Sequence, residues 1–171
     1  KLQTRFKYKT SSQPVTETAL TNKDGSTREI IKRGIVGTKF VEGTPSDKYL
    51  YDKIVFDSPL EKENIMTDIE EVVVYGKIPK ASVAIPTIVG ENYSPDFMYI
   101  VKHKNGTKEL NIVVETKSVE KKSTLRGIED AKIKCAETFF KQLTIDGYTV
   151  TFHTQLSNKN VKQIIEEVLK E

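Results

Sequence analysis

The dipeptide Asn105-Gly106 constrains this chain more than any other pair of residues in it. An Asn-Gly step accepts the positive φ angles of a tight reversal, and here it stands between two apolar runs, residues 96–102 (DFMYIVK) and 109–116 (ELNIVVET). A reversal at that point pairs the runs as antiparallel strands. Asp96 lies nine residues before Asn105, and Glu115 nine residues after Gly106. The hairpin therefore sets the two acids side by side, at the end of the sheet far from the turn. Side chains alternate along a strand, so Glu115 and Lys117, two apart, share one face.

The elements around this hairpin follow from periodicity and punctuation. Ser58-Pro59-Leu60-Glu61 combines an N-cap serine, a proline at the first helical position and a glutamate at the third, and predicts a helix from Ser58. β-Branched runs at 72–75 and 82–89 predict strands. A helix is expected over 124–143, with Leu125, Ile128, the stem of Lys132, Cys135 and Phe139 on its apolar stripe. A strand at 147–154 and a helix at 159–170 complete the chain. From Ser58 the order is helix, three strands, helix, strand, helix, which predicts an α/β (α+β) fold with a mixed β-sheet flanked by helices. The first third is different. Strands are expected at 4–10, 15–20 and 27–32, the last two joined by a turn at Asn22-Lys23-Asp24-Gly25. We divide the chain into an N-terminal β-rich extension or linker, 1–50, and a main domain, 51–171.

Composition narrows the function classes. With 171 residues, 37% hydrophobic and 30% charged, the chain suits one domain or one domain with an appendage. No apolar run is long enough to span a bilayer, and no membrane partner is expected. The single cysteine, Cys135, excludes an internal disulfide and a cysteine zinc site, fits a reducing, cytoplasmic compartment and is read as a small core residue. A net charge of +3 is too small to establish a nucleic-acid partner by itself. The chain opens on Lys1 rather than Met and reads as a segment of a longer polypeptide.

The residues gathered by the hairpin point to metal-assisted hydrolysis. Two adjacent carboxylates repel unless a cation lies between them. Oxygen-only donors suit Mg²⁺, with Mn²⁺ as the expected substitute, and such an ion keeps waters and accepts a phosphate oxygen. A neighbouring lysine adds positive charge where a phosphoryl transition state is most negative. No nucleophilic triad competes: His103 falls at the hairpin tip and His153 on the last strand, neither within a motif.

Ser94-Pro95-Asp96 followed by Glu115-Thr116-Lys117 resembles the signature of the PD-(D/E)XK nucleases in its strand–turn–strand context. More closely, residues 51–61 (YDKIVFDSPLE), 77–79 (KIP), 85–90 (IPTIVG) and 125–136 (LRGIEDAKIKCA) resemble the C-terminal endonuclease domain of the Res subunit of type III restriction enzymes. The resemblance spans roughly 34–140 and departs mildly, with Phe97 where tryptophan is common and Ser94 where asparagine is; residues 1–33 show none. It implies a restriction-endonuclease-like core that cleaves double-stranded DNA with Mg²⁺, with Asp96 and Glu115 binding the metal and Lys117 completing the site. Glu61 resembles the acid that many such nucleases add from the first helix, although capping also accounts for it, and Glu63 or Asp68 are alternatives. The resemblance further implies a helicase-like motor in the parent chain and a methyltransferase subunit as partner; no Gly-rich phosphate-binding loop occurs in these residues. Lys121, Lys122, Arg126 and Lys132 are candidates to line the DNA path, and Glu129 is read as a helix-surface ion-pair partner. Two other readings stay open: a non-catalytic DNA-binding or docking module on the same fold, and a resolvase or repair nuclease.

Overall fold

The computed structural model describes residues 7–9, 17–103, 105–106 and 109–170. In its first part the turn at Asn22–Gly25 forms as expected. Gly25 takes φ +83°, Asn22 N donates to Ser26 O at 2.8 Å, and Thr21 bridges Thr27. That bridge is the only β pairing among the described residues before residue 33. The expected strands at 4–10 and 15–20 lie in part outside the described residues, and neither their described part nor 27–32 is strand. A single helical turn, α1 (Arg33–Val36), leads into β1 (Lys39–Val41), which pairs antiparallel with β2 (Ile54–Phe56) across the expected boundary near residue 50.

Helix α2 (Pro59–Met66) begins where the sequence predicts, with Ser58 Oγ accepting from Glu61 N at 3.2 Å. The return half of the capping box is displaced by one residue: the Glu61 carboxylate accepts from Asp57 N, at 2.7 Å. β3 (Val72–Lys77) follows. The expected strand at 82–89 contracts to β4 (Ile85–Pro86), paired with β5 (Asn92–Tyr93). Pro86, with no N–H to give a ladder, ends it.

β6 (Phe97–Lys102) and β7 (Glu109–Lys117) form the hairpin, with Phe97 opposite Val114 and Lys102 opposite Glu109. Asn105 and Gly106 stand at the centre of the reversal, Gly106 at φ +68° with its N–H on His103 O at 2.7 Å. One step beyond Phe97 and Val114, the same register sets Asp96 opposite Glu115. A 3₁₀ turn (Lys122–Thr124), helix α3 (Gly127–Ile145), strand β8 (Val150–Leu156) and helix α4 (Val161–Val168) complete the chain. The main sheet has the order β3-β6-β7-β8, antiparallel except for the parallel β7–β8 pair, and is therefore mixed as predicted.

The alternation of the central strands builds two cores. Phe97, Tyr99, Val101, Ile112 and Val114 face α2 and α4, packing on Ile65, Val161, Ile165 and Val168, with Tyr75 and Tyr99 stacked at 5.2 Å. Val113 faces α3, packing with Ile85, Tyr93, Ala136 and Phe140. The expected stripe on α3 needs correction. The buried residues are Ile133, Cys135, Ala136 and Phe140, whereas Ile128 is 59% exposed and Lys132 lies in an ion pair. α3 meets β8 of the main sheet and β4 of the small β4–β5 pair along its middle turns, so its first turn stands clear of the apolar face. Among the described residues no helix is long and apolar enough to cross a membrane.

Candidate active site

The hairpin delivers Asp96, Glu115 and Lys117 to one end of the sheet. Asp96 immediately precedes β6, and its Oδ2 accepts from Thr116 N at 2.7 Å and Thr116 Oγ1 at 2.6 Å. These two bonds fix the carboxylate against the partner strand. Burial pushes the Asp96 carboxyl above its ordinary range; the Thr116 bonds oppose that, Glu61 adds to it and Lys77 reduces it.

Glu115 is 4% exposed and held at both oxygens. Lys117 Nζ lies 2.7 Å from Oε1, and the Tyr93 hydroxyl donates to Oε2 at 2.5 Å. Its pKa is pushed up to about 7, first by burial and then by the charge of Asp96, with Lys117 and Tyr93 pulling the other way. Burial alone lowers the Lys117 ammonium, yet Glu115, Asp96 and Glu129 outweigh it and raise its pKa, so it stays protonated. A buried acid whose pKa is raised by the charge of the half-buried acid beside it marks a locus of excess negative charge in an oxygen-only setting, which fits a hard divalent cation that retains its own waters. Among the described residues no group of three His, Cys, Asp or Glu side chains is arranged to hold a metal ion; the carboxylates brought together here are those of Asp96 and Glu115.

Glu61 is buried, but its Oε2 takes Lys77 Nζ at 2.6 Å and Asp57 N at 2.7 Å. Lys77 pairs in register with Phe97, so Glu61 and Lys77 lie on the α2 face of the sheet, while Glu115 and Lys117 lie on the α3 face with Val113. Glu61 thus reaches Asp96 by its charge and not through a shared bond. The alternatives lie away from the hairpin: Glu63 is exposed, and Asp68 pairs with Lys48 at 3.3 Å.

The candidate DNA-path residues flank the α3 side. Lys121 and Arg126 are exposed before α3, Lys122 pairs with Glu137 at 3.2 Å, and Lys132 pairs with Glu91 at 2.5 Å. The ion-pair partner of Glu129 is Lys117, at 3.9 Å, which makes Glu129 a neighbour of the site. Its other oxygen accepts from Arg126 N at 3.2 Å. Tyr93, and the roles at the site of Thr116, Lys77 and Glu129, escape a reading of motifs. For Tyr93 a signal existed, an aromatic residue three before Asp96 in an otherwise polar stretch. For Lys77 the signal was a lysine closing an apolar strand.

Comparison with known proteins agrees with this geometry. A family model described as "Endonuclease domain" matches residues 47–159. The chain is 38% identical over 164 residues to the Res subunit of the type III restriction-modification enzyme EcoP15I of Escherichia coli, covering 95% of this chain and 17% of that protein. The EcoPI Res subunit of Escherichia phage P1 gives the same identity and coverage, and the StyLTI Res subunit of Salmonella typhimurium is 29% identical over 133 residues, 73% of this chain and 13% of that one. The chain therefore spans about a sixth of the length of these relatives. No solved structure matches it. A hairpin-built acid pair with its lysine, on a mixed sheet between helices, and a family match over most of the chain lead to one conclusion: the chain belongs to the endonuclease-domain family, as a Res-like nuclease domain with a restriction-endonuclease-like fold.

Proposed function

We propose that this chain is the DNA-cleavage module of a type III restriction enzyme, hydrolysing phosphodiester bonds of double-stranded DNA at Asp96, Glu115 and Lys117. The observation that carries the reading is the convergence of these three side chains, with Glu115 raised to about 7 beside Asp96 and bound to Lys117 at 2.7 Å. Asp96 and Glu115 would hold Mg²⁺, or Mn²⁺ in its place. Such an ion, when bound, supplies a water of lowered pKa and Lewis-acid shielding of the phosphate. The chain's own contribution is preorganisation. Thr116 and Tyr93 fix the two carboxylates before substrate arrives, and Lys117 keeps its proton and places positive charge beside the acids. Glu61 supports the site from the other face through its charge on Asp96.

DNA would approach on the α3 side, along Lys121, Lys122, Arg126 and Lys132. The relatives are named as subunits of type III restriction-modification enzymes and are far longer than this chain, which supports a larger parent protein working within a complex; the motor of that parent would be helicase-like and the partner a methyltransferase subunit, in a cytoplasmic setting where the buried Cys135 remains reduced. In the enzyme that contains this chain, Asp96→Ala, Glu115→Ala and Lys117→Ala are each expected to abolish cleavage of plasmid DNA while leaving ATP hydrolysis intact. Full cleavage by any one of the three would sink the assignment.

A further inference from the structure

The charged groups on the α2 face act on the site above only through their charge on Asp96, yet they form a frame of their own. Lys77 is 4% exposed, far too buried to reach a substrate, and its ammonium lies 2.6 Å from Glu61 Oε2 and 3.2 Å from Asp57 Oδ2. Asp57 is itself anchored: Thr38 N and Thr38 Oγ1 donate to its Oδ1 at 2.9 and 2.8 Å. Burial works against its charge, but those bonds and Lys77 hold its pKa down to about 2. The Asp57 N–H donates to the same Glu61 oxygen that Lys77 holds. Glu61 is thus clamped by two donors belonging to a preset frame, within electrostatic range of Asp96.

We propose that Lys77 is a positioning residue of the cleavage site, whose buried ammonium keeps Glu61 in an ion pair on the α2 face and so withholds it from Asp96 and Glu115 as a third metal ligand. Breaking a buried ion pair leaves an uncompensated charge on each side, so Glu61 stays with Lys77 when a cation arrives. Counting Asp96, Glu115 and Glu61 against Lys77 and Lys117, the cluster carries one net negative charge with Lys77 present and two without it. Lys77 accordingly limits how strongly the site draws cations before the substrate phosphate contributes its own oxygens.

This rests on the reading of Asp96 and Glu115 as the metal ligands, and binding of Mn²⁺ alone, followed by calorimetry and by melting, separates the two claims. Asp96→Asn is the control: if it binds Mn²⁺ as wild type does, the metal reading itself fails. With that control passed, Glu61→Gln, which removes one charge outside the ligand set, should bind Mn²⁺ at most about tenfold more weakly than wild type, and a larger loss would show that Glu61 is already a ligand, overturning the proposal. Lys77→Met should bind Mn²⁺ about tenfold more tightly, since an opposite charge at close range is worth at least that much to a buried carboxylate. Equal or weaker binding by Lys77→Met overturns the proposal as well. Lys77→Met/Glu61→Gln should return to wild-type affinity; if it stays tight, the gain never came from Glu61. Should Lys77→Met fail to fold, Glu61→Gln still decides the matter, alongside Lys77→Arg, which keeps the charge and must match wild type.

Discussion

Tyr93 approaches Glu115 from a strand of only two residues, and it shows how a site of this kind is held by residues that take no part in its signature. Its buried hydroxyl gives the Glu115 carboxylate a donor on the side opposite Lys117, and that bond favours the ionised form. Tyr93→Phe should therefore raise the Glu115 pKa above about 7, measurable from the pH dependence of its carboxyl ¹³C shift; an unchanged pKa would remove Tyr93 from this role. The raised pKa also sets a pH dependence of stability. A carboxyl that titrates near 4.5 when unfolded and near 7 when folded binds more protons in the native state between those values. Its penalty is absent below about 4.5, grows as pH rises, and is complete above about 7. Burial is the larger cause and the Asp96 charge the second, so Asp96→Asn recovers only part, about 1 kcal/mol as an order of magnitude. In EDTA at pH 8 the variant should melt above wild type, and the gap should shrink toward pH 4. Adding Mn²⁺ should then stabilise wild type by mass action and leave the variant nearly unmoved. A variant that melts lower in EDTA and responds to Mn²⁺ as wild type does would contradict the metal site.

Among the elements, α2 and β8 are joined by a contact that sequence periodicity does not reveal. Asn64 Nδ2 donates to Gln155 Oε1 at 2.6 Å, and Gln155 Nε2 donates back to Asn64 Oδ1 at 3.0 Å. Both residues are buried, and Gln155 stands beside Thr116 in the β7–β8 ladder, the residue that holds Asp96. The amide pair thus ties α2 to the strand beside the Glu115 end of β7. Gln155→Leu strands the Asn64 amide in an apolar setting and should cost about 2–3 kcal/mol in urea unfolding. Asn64→Leu/Gln155→Leu, which removes both partners, should be less destabilised than the sum of the single changes. Simple additivity would mean that the two amides act independently. The helix α3 teaches the complementary point. Its length was legible from spacing, but which residues it buries depended on how far its first turn extends past the sheet, and Ile128 is left in water.

For the whole molecule, the small excess of positive charge bears on how the proposed DNA substrate would be bound. Among the basic candidates, Lys122 and Lys132 are engaged with Glu137 and Glu91. Binding through phosphates carries no sequence information, so this chain alone should bind duplex DNA weakly, without preference for sequence, and progressively less as salt is raised. Filter binding or anisotropy with unrelated duplexes at several salt concentrations tests this. A footprint over one defined short site would refute it and place base recognition inside these residues.

From sequence alone, the hairpin, its register and the meeting of Asp96 with Glu115 and Lys117 were determined, because a turn dipeptide flanked by two period-2 runs leaves a single pairing that buries them. The N-cap of α2 and the order of helices and strands were legible for the same reason: local spacing carries them. Only the tertiary structure decided what surrounds the acids. Tyr93 reaches Glu115 across 22 positions, Lys77 reaches Glu61 across 16, and Gln155 reaches Asn64 across 91. Such partners are chosen by how layers stack and not by any local pattern, and they convert a signature of three residues into a buried charge cluster with shifted pKa values. The place of Glu61 was decided in the same way. Capping and catalysis were both open in the sequence, and the packing of α2 on the sheet gave its carboxylate to Lys77 and Asp57.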